Sequence, residues 1–362
     1  MAPRPAEHDC RRDLTLQEAR SPGAPERRSR NSIRWYGPSD PAMQRELARW
    51  CGTVGPAVIE SHPAAALASV TSAGPLTVVS WNAAVGSGDP LELLRREFDL
   101  TCADGVPRPG TRFSHFALLV QEAHRLSEDV PVPPPDAPFP KQIDPKERPG
   151  PMLDVVEVAA RCGLALLYVP LSRNGQRAQG ERREDKGNAI LSSRAISDFF
   201  AIELPVEASR KVSLGASVEL PEGGRLRVVN VHFDVSAGLA RILISGNSWR
   251  FEQAAATIEG IELADGALRR AGTSEGSVAT LVAGDFNVWT ADDAGLKLFH
   301  RKYSQSPTWT GKPTRGAFPP DHLFFKEAED GRVRLVPGSY QRVEERYHSD
   351  HHGLRVLVTS RP

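Results

Sequence analysis

The sequence lacks a charge bias: 45 lysines and arginines balance 45 aspartates and glutamates. Such a chain has no overall basic excess to gather nucleic acid non-specifically, although a local basic face is compatible with a neutral total. Cysteine is scarce as well. Cys10, Cys51, Cys102 and Cys162 lie far apart and form no CxxC pair, so the spacing indicates neither a zinc site nor a disulfide scaffold and reads as isolated thiols. No run approaches the roughly 18 apolar residues of a membrane span, and MAPRPAEHDCRRD at the start has no apolar stretch of the secretory kind. A cytoplasmic location without stable membrane insertion is the expectation, and nothing in the pattern indicates a protein partner.

What is present suits a globular protein with extra segments: 362 residues with 40% apolar content can bury a sizeable core. Residues 1–40, rich in Arg, Pro, Ser and Glu, are expected to be a disordered tail, because their apolar content cannot offset the entropy of ordering. Residues 41–75 read as a short helical extension or linker. From residue 76 to 362 the texture becomes short apolar strands between polar loops, such as LTVVSWNA, HFALLVQEA, GLALLYVPL, LRVVNVHF, VATLVAGDF and LRVLV. Helical spacing predicts helices over 90–99, 152–162, 241–271 and 292–302, and Glu222-Gly223-Gly224 predicts a hairpin turn. Sheets packed together with helices outside follow from this alternation, an α/β layered sandwich. Residues 131–151, with nine prolines, exclude helix and central strand and form a semi-rigid loop, either a substrate flap or a plain surface insertion.

Several strands end in the same way, an apolar run followed at once by a carboxylate, amide or imidazole. LTVVSWN ends on Asn82, FALLVQE on Glu122, LRVVNVH on His232 and TLVAGDFN on Asp285 and Asn287; PPDHLFF and HSDHHGLRVLV place Asp321 and Asp350–His351 before strands. Singly, each reads as a turn residue, a strand cap or a buried hydrogen-bonded group. Gathered at one rim of facing sheets they would repel one another without a cation or an anionic substrate, and oxygen donors without sulfur favour Mg²⁺ or Mn²⁺ over zinc.

In this order, WN, QE, KGNAILS, NVHFD, GDFN, PDHLFF and SDHH resemble the signature segments of the endonuclease/exonuclease/phosphatase superfamily over about residues 76–359. That superfamily includes deoxyribonuclease I, abasic-site endonucleases, neutral sphingomyelinases, inositol polyphosphate 5-phosphatases and deadenylases. The resemblance implies a four-layered α/β/β/α sandwich, with two packed, mainly antiparallel sheets and outer helices, and metal-assisted attack of water on a phosphate ester. It implies Glu122 as the principal Mg²⁺ (or Mn²⁺) ligand, with Asn82 and Asp350 completing or tethering the shell. By the same resemblance Asp285 positions or deprotonates the water, Asn287 donates an amide hydrogen bond to the phosphate or holds Asp285 in place, and His232 donates to a phosphate oxygen. His351 is the general base or the phosphate-facing imidazole, and Asp321 fixes its tautomer. Which of Asp285 and His351 is the base stays open.

Within HSDHH, alternation along the following strand sends neighbours to opposite faces, so the three imidazoles do not share one ion; His348 and His352 are bystanders or rim contacts. Lys186 and Asn188 lie near the phosphate or shape the strand entry, and Arg250 and Gln253 read as structural. The substrate is a phosphate ester: nucleic acid, phospholipid or a small phosphodiester, with diesters favoured over monoesters. The charge-mixed run 173–186 suits a phosphate-rich ligand or a solvated loop, and 199–205 and 235–246 suit either a lipid-facing lip or the core. No inositol-phosphatase motif is evident. A binding or scaffold protein that keeps the fold without catalysis is the alternative, and it is disfavoured by the presence of Glu122, Asp285 and His351. A zinc hydrolase centred on HSDHH ranks lowest, since no HExxH accompanies it.

Overall fold

The computed structural model describes residues 2–4, 9–21, 31–70, 74–103, 105–139, 150–174, 183–235, 248–271, 278–290, 292–306 and 312–361. Its first sheet runs in the order β1 (Ala2–Arg4), β3 (Arg34–Gly37), β11 (Ile196–Glu203), β12 (Val212–Glu219), β13 (Arg225–His232), β14 (Thr280–Asp285), β15 (Asp321–Lys326). The second has nine strands: β16 (Val333–Leu335), β18 (Leu354–Ser360), β5 (Leu76–Asn82), β8 (Phe116–Leu126), β10 (Glu184–Ser192), β9 (Ala165–Arg173), β4 (Ala57–Glu60) and β2 (Asp13–Thr15), with β17 (Gln341–Arg342) beside β18. Strands β6 (Leu100–Ala103) and β7 (Val106–Pro109) form a separate hairpin.

Three apolar clusters explain the layering. One, including Leu119, Leu167, Ile190, Leu214, Val228, Leu281 and Val356, lies where the inward faces of both sheets meet. A second packs helices Pro90–Phe98 and Val155–Cys162 on the outer face of the nine-stranded sheet, and a third packs helices Ser248–Arg270 and Ala294–Lys302 on the other. The result is the α/β/β/α sandwich expected, with mainly antiparallel pairing. The helices begin where short acids cap them: Asp89 accepts from Glu92 N at 3.0 Å, Asp154 from Val156 N at 2.7 Å and Asp293 from Gly295 N at 2.8 Å. Phe98 stacks on Phe116 at 4.0 Å between ring centroids, and burying such a ring contributes about 2–3 kcal/mol.

Two expectations are corrected. The described residues of the supposed tail are built into the sheets: β1 pairs β3, β3 adds in parallel to β11, and β2 adds to β4. Composition missed this because a few inserted groups, Leu14, Trp35, Tyr36 and the buried Arg11, suffice once a sheet edge is available. Likewise β4 extends the second sheet from within the segment expected to be a short helical extension or linker. The cysteines are not isolated thiols either. Cys10 bonds Cys51 and Cys102 bonds Cys162, with Cα separations of 5.4 and 4.9 Å. Partners 41 and 60 residues apart leave no local spacing signal, since tertiary packing brings them together.

Other segments fall into place. The hairpin at Glu222–Gly224 joins β12 to β13, with Gly223 and Gly224 at φ +91° and +83°. Residues 199–205 are core rather than a lip, since Phe200 and Ile202 are fully buried. Parts of the proline-rich loop (140–149), of the 173–186 run (175–182) and of the 235–246 stretch (236–246) lie outside the described residues. Among the described residues no helix is long and apolar enough to cross a membrane.

Candidate active site

Register alone aligns one half of the site. His232 pairs Asp285 across β13 and β14, and Asp285 pairs Asp321 across β14 and β15, so three polar side chains stand in one row on one face. On the other sheet Asn82, the last residue of β5, pairs Gln121 in the middle of β8. Below them Gln121 donates to Asn230 Oδ1 at 2.7 Å, and Asn230 donates to Val120 O and Ala189 O at 2.9 Å each, an inter-sheet clamp that sets the spacing.

Glu122 reaches the site through a bulge. Pairing of β10 with β8 shifts between Gly187 and Ala189, so that Gln121 and Glu122 oppose the single residue Asn188, and Glu122 sits at φ +55°. A non-glycine residue in that region stores strain of order 1–3 kcal/mol. Its Oε2 accepts from Val85 N at 2.7 Å, while Oε1 lies 3.7 Å from His232 Nε2. Burial pushes the carboxyl up, but the charges of Lys186, Lys211 and His351 outweigh it and hold Glu122 well below the usual carboxylate range.

Asn82 bridges the sheets by donating to Asp285 Oδ2 at 2.9 Å, and its Oδ1 accepts from Ala84 N at 2.9 Å. Asp285 Oδ1 accepts from Asn287 N at 2.8 Å, and Asn287 anchors itself by donating to Phe233 O at 2.9 Å. His351 Nδ1 lies 2.8 Å from Asp321 Oδ2, and its Nε2 lies 3.8 Å from Asp285 Oδ2 and 3.8 Å from Asp350 Oδ1. Burial opposes the imidazolium, yet Asp321, by charge and hydrogen bond, with Asp285 and Asp350 behind it, pushes His351 up to about 9. Asp285 is pushed up to about 6, by burial above all and by Asp321, against the pull of His351 and its hydrogen-bond donors. The SDHH turn is tied down by Ser349, whose hydroxyl donates to Asn82 O at 2.6 Å and accepts from His351 N at 3.0 Å.

All eight expected residues therefore lie around one rim, with two differences of detail. Asp350 is half-exposed and held by Arg315 at 2.6 Å, on the His351 side of the site. His232 Nε2 lies 3.1 Å from Lys211 Nζ; since an ammonium only donates, this nitrogen accepts, and donation from it to a phosphate does not fit the arrangement. Burial first, then Lys211, holds His232 well below its ordinary value. His348 is exposed, and His352 turns away to Val343 O, 3.0 Å from Nδ1. Sequence reasoning missed Lys211, Arg315 and Ser349; Lys211 precedes the apolar run VSLGASV and so carried the same strand-end signal as the others.

Asp285, Asp321 and His351 bring possible ligand atoms within 4.8 Å of one another, but the Asp321–His351 hydrogen bond accounts for that closeness. A hard divalent cation is better matched by the ionised Glu122 carboxylate, with Asn82 Oδ1 as a further oxygen donor.

No family model and no curated protein matches the chain. Among solved structures it is similar to an endonuclease/exonuclease/phosphatase from Beutenbergia cavernae, at 17% identity and TM-score 0.47 over 79% of this chain and 72% of that one. It is also similar to the human Nocturnin catalytic domain with bound sulfate (15%, TM-score 0.48, covering 79% and 95%). A third is sphingomyelinase C from Streptomyces griseocarneus (16%, TM-score 0.42, covering 78% and 99%).

Proposed function

We propose that the chain is a divalent-metal-dependent phosphoesterase that hydrolyses phosphate esters, with phosphodiesters favoured, by attack of water. The observation that carries this reading is the buried line Asn82–Asp285···His351–Asp321, with Glu122 joined to it through His232, a gathering of acids and imidazoles at one rim.

Glu122, with Asn82 Oδ1 and, after release from Arg315, Asp350, would hold Mg²⁺ or Mn²⁺, which when bound supplies Lewis-acid stabilisation of a phosphate oxygen and of the leaving group. Asp285 is the better base of the two that the motif left open. A carboxylate near pKa 6 is ionised at neutral pH and accepts a proton more readily than an ordinary one, whereas His351 is already protonated there. His351 then offers Nε2–H to the developing charge on the phosphate, Asp321 keeps that imidazolium oriented, and Asn287 and Asn82 fix the two oxygens of Asp285. The paired disulfides favour an oxidising compartment over the cytoplasm.

The test is turnover of bis-p-nitrophenyl phosphate, DNA, RNA and sphingomyelin with Mg²⁺, Mn²⁺ or chelator. Metal-dependent hydrolysis of at least one, lost in Asp285→Asn and His351→Gln, is expected. Unchanged turnover in both variants sinks the mechanism.

A further inference from the structure

The turn that follows Asn82 is left-handed over three residues in succession: Ala84 at φ +48°, Val85 at +60° and Gly86 at +83°. Glycine has a reason to stand at 86, since a Cβ there would lie 2.2 Å from His124 Cβ. Valine at 85 does not suit its angle, because a β-branched side chain in this region is a steric outlier that persists only where its surroundings hold it. Its strain has a counterpart. Val85 N donates to Glu122 Oε2 at 2.7 Å, and Glu122 is itself left-handed at φ +55°, so a single hydrogen bond joins two strained non-glycine residues. The preceding amide, Ala84 N, donates to Asn82 Oδ1 at 2.9 Å, so two successive amides converge on side-chain oxygens of the candidate metal shell.

Other contacts fix the turn from outside. Ser87 N and Oγ donate to Ala84 O at 3.1 and 2.9 Å, and Gly88 N donates to Ala83 O at 2.9 Å. Val85 O accepts from Asn174 Nδ2 at 3.2 Å. Asn174, 2% exposed, stands just beyond β9, and its backbone N donates at 3.1 Å to Glu184 O on β10. Both backbone groups of Val85 are therefore committed, one to the carboxylate and one to a side chain 89 residues away in sequence.

We propose that Asn174 is a positioning residue for Glu122. It acts through Val85, whose N–H keeps Oε2 engaged and leaves Oε1, 3.7 Å from His232 Nε2, as the oxygen offered to the site. The proposal rests on the phosphoesterase reading, in which Glu122 is the principal metal ligand. A connection needed only to join β5 to the helix at Pro90 would gain nothing from a strained valine, whereas a carboxylate that must present one fixed oxygen gains its aim.

One part of the test needs no metal. Amide hydrogen exchange of the full chain in chelator, followed by NMR, reads the Val85 N–H directly. In Asn174→Ala its exchange should quicken about tenfold, while the core strands exchange as in wild type. Mn²⁺ affinity, measured by calorimetry, should weaken about tenfold, as for other groups that orient a metal ligand. Hydrolysis of bis-p-nitrophenyl phosphate should fall at limiting Mn²⁺ and return to within about twofold of wild type at saturating Mn²⁺, a split that a general loss of stability would not give. Asn174→Asp, which matches the size without the amide donor, should behave alike and serves where the alanine variant does not fold. Unchanged Val85 exchange, or unchanged Mn²⁺ affinity, in a folded variant overturns the positioning role. Metal-dependent turnover that ignores Asn174 at every Mn²⁺ concentration retains the phosphoesterase and removes the positioning role. Asn174-dependent Mn²⁺ binding without turnover of any ester retains the positioning role and removes the phosphoesterase.

Discussion

Asp321→Asn isolates one electrostatic contact. Asparagine keeps the volume and an oxygen beside His351 Nδ1 but removes the charge that, more than any other neighbour, favours the imidazolium. Raising His351 from 6.5 to about 9 corresponds to about 3 kcal/mol of preference for the protonated form. Because the folded value lies above the unfolded one, that stabilisation is complete below about pH 6.5 and is lost as pH rises through about 9. Wild-type unfolding free energy should therefore fall between those limits, at up to about 1.4 kcal/mol per pH unit. In Asp321→Asn burial dominates, His351 becomes neutral in the folded state at pH 7, and the decline should disappear. Urea denaturation from pH 6 to 10 measures the slope, and an NMR titration of the His351 ring reports the proton directly. An identical slope in the variant would refute the assignment of the charge to Asp321.

Hydrolysis should follow a bell-shaped pH profile, with an acid limb near 6 from Asp285 and an alkaline limb near 9 from His351, read as properties of the coupled pair; a flat profile across that range contradicts the proposed roles. Glu122→Gln should abolish metal-stimulated turnover and lower metal affinity measured by calorimetry. His352→Ala and His348→Ala should leave kcat/KM within about threefold of wild type while His351→Ala lowers it by at least about a hundredfold, which steady-state kinetics will decide. Denatured, unreduced protein should show no reactive thiol with a chromogenic disulfide reagent, and Cys102→Ser with Cys162→Ser should cost about 2–5 kcal/mol in denaturant unfolding.

Much of the site was legible because its residues sit at the ends of apolar runs, and strand register converts such positions into neighbours, as His232, Asp285 and Asp321 show. Glu122 was legible by type, but its aim depends on a bulge opposite Asn188, which no alternation pattern announces. The N-terminal segment was misread because its contribution is a handful of contacts scattered among charged residues. Arg11 looks like solvated surface in the sequence, yet its guanidinium lies buried against Glu203. The Lys211–His232 contact was hidden for a related reason: which nitrogen an imidazole offers is set by a neighbour on another strand.

The bond between Cys10 and Cys51 also changes the topology of the chain. It closes everything from residue 10 to residue 51 into a covalent ring, immediately beside Arg11, whose guanidinium is buried against Glu203. A protease that cuts once anywhere within this ring would leave residues 1–10 attached through sulfur, with Arg11 also kept when the cut falls after it. Nicked protein would run as one species without reductant and as two with it. Under reducing conditions the same nick would leave the N-terminal strands held by sheet pairing and by contacts such as Arg11–Glu203 alone, so one covalent bond decides whether a cut in this segment is harmless or loosens the edge of both sheets.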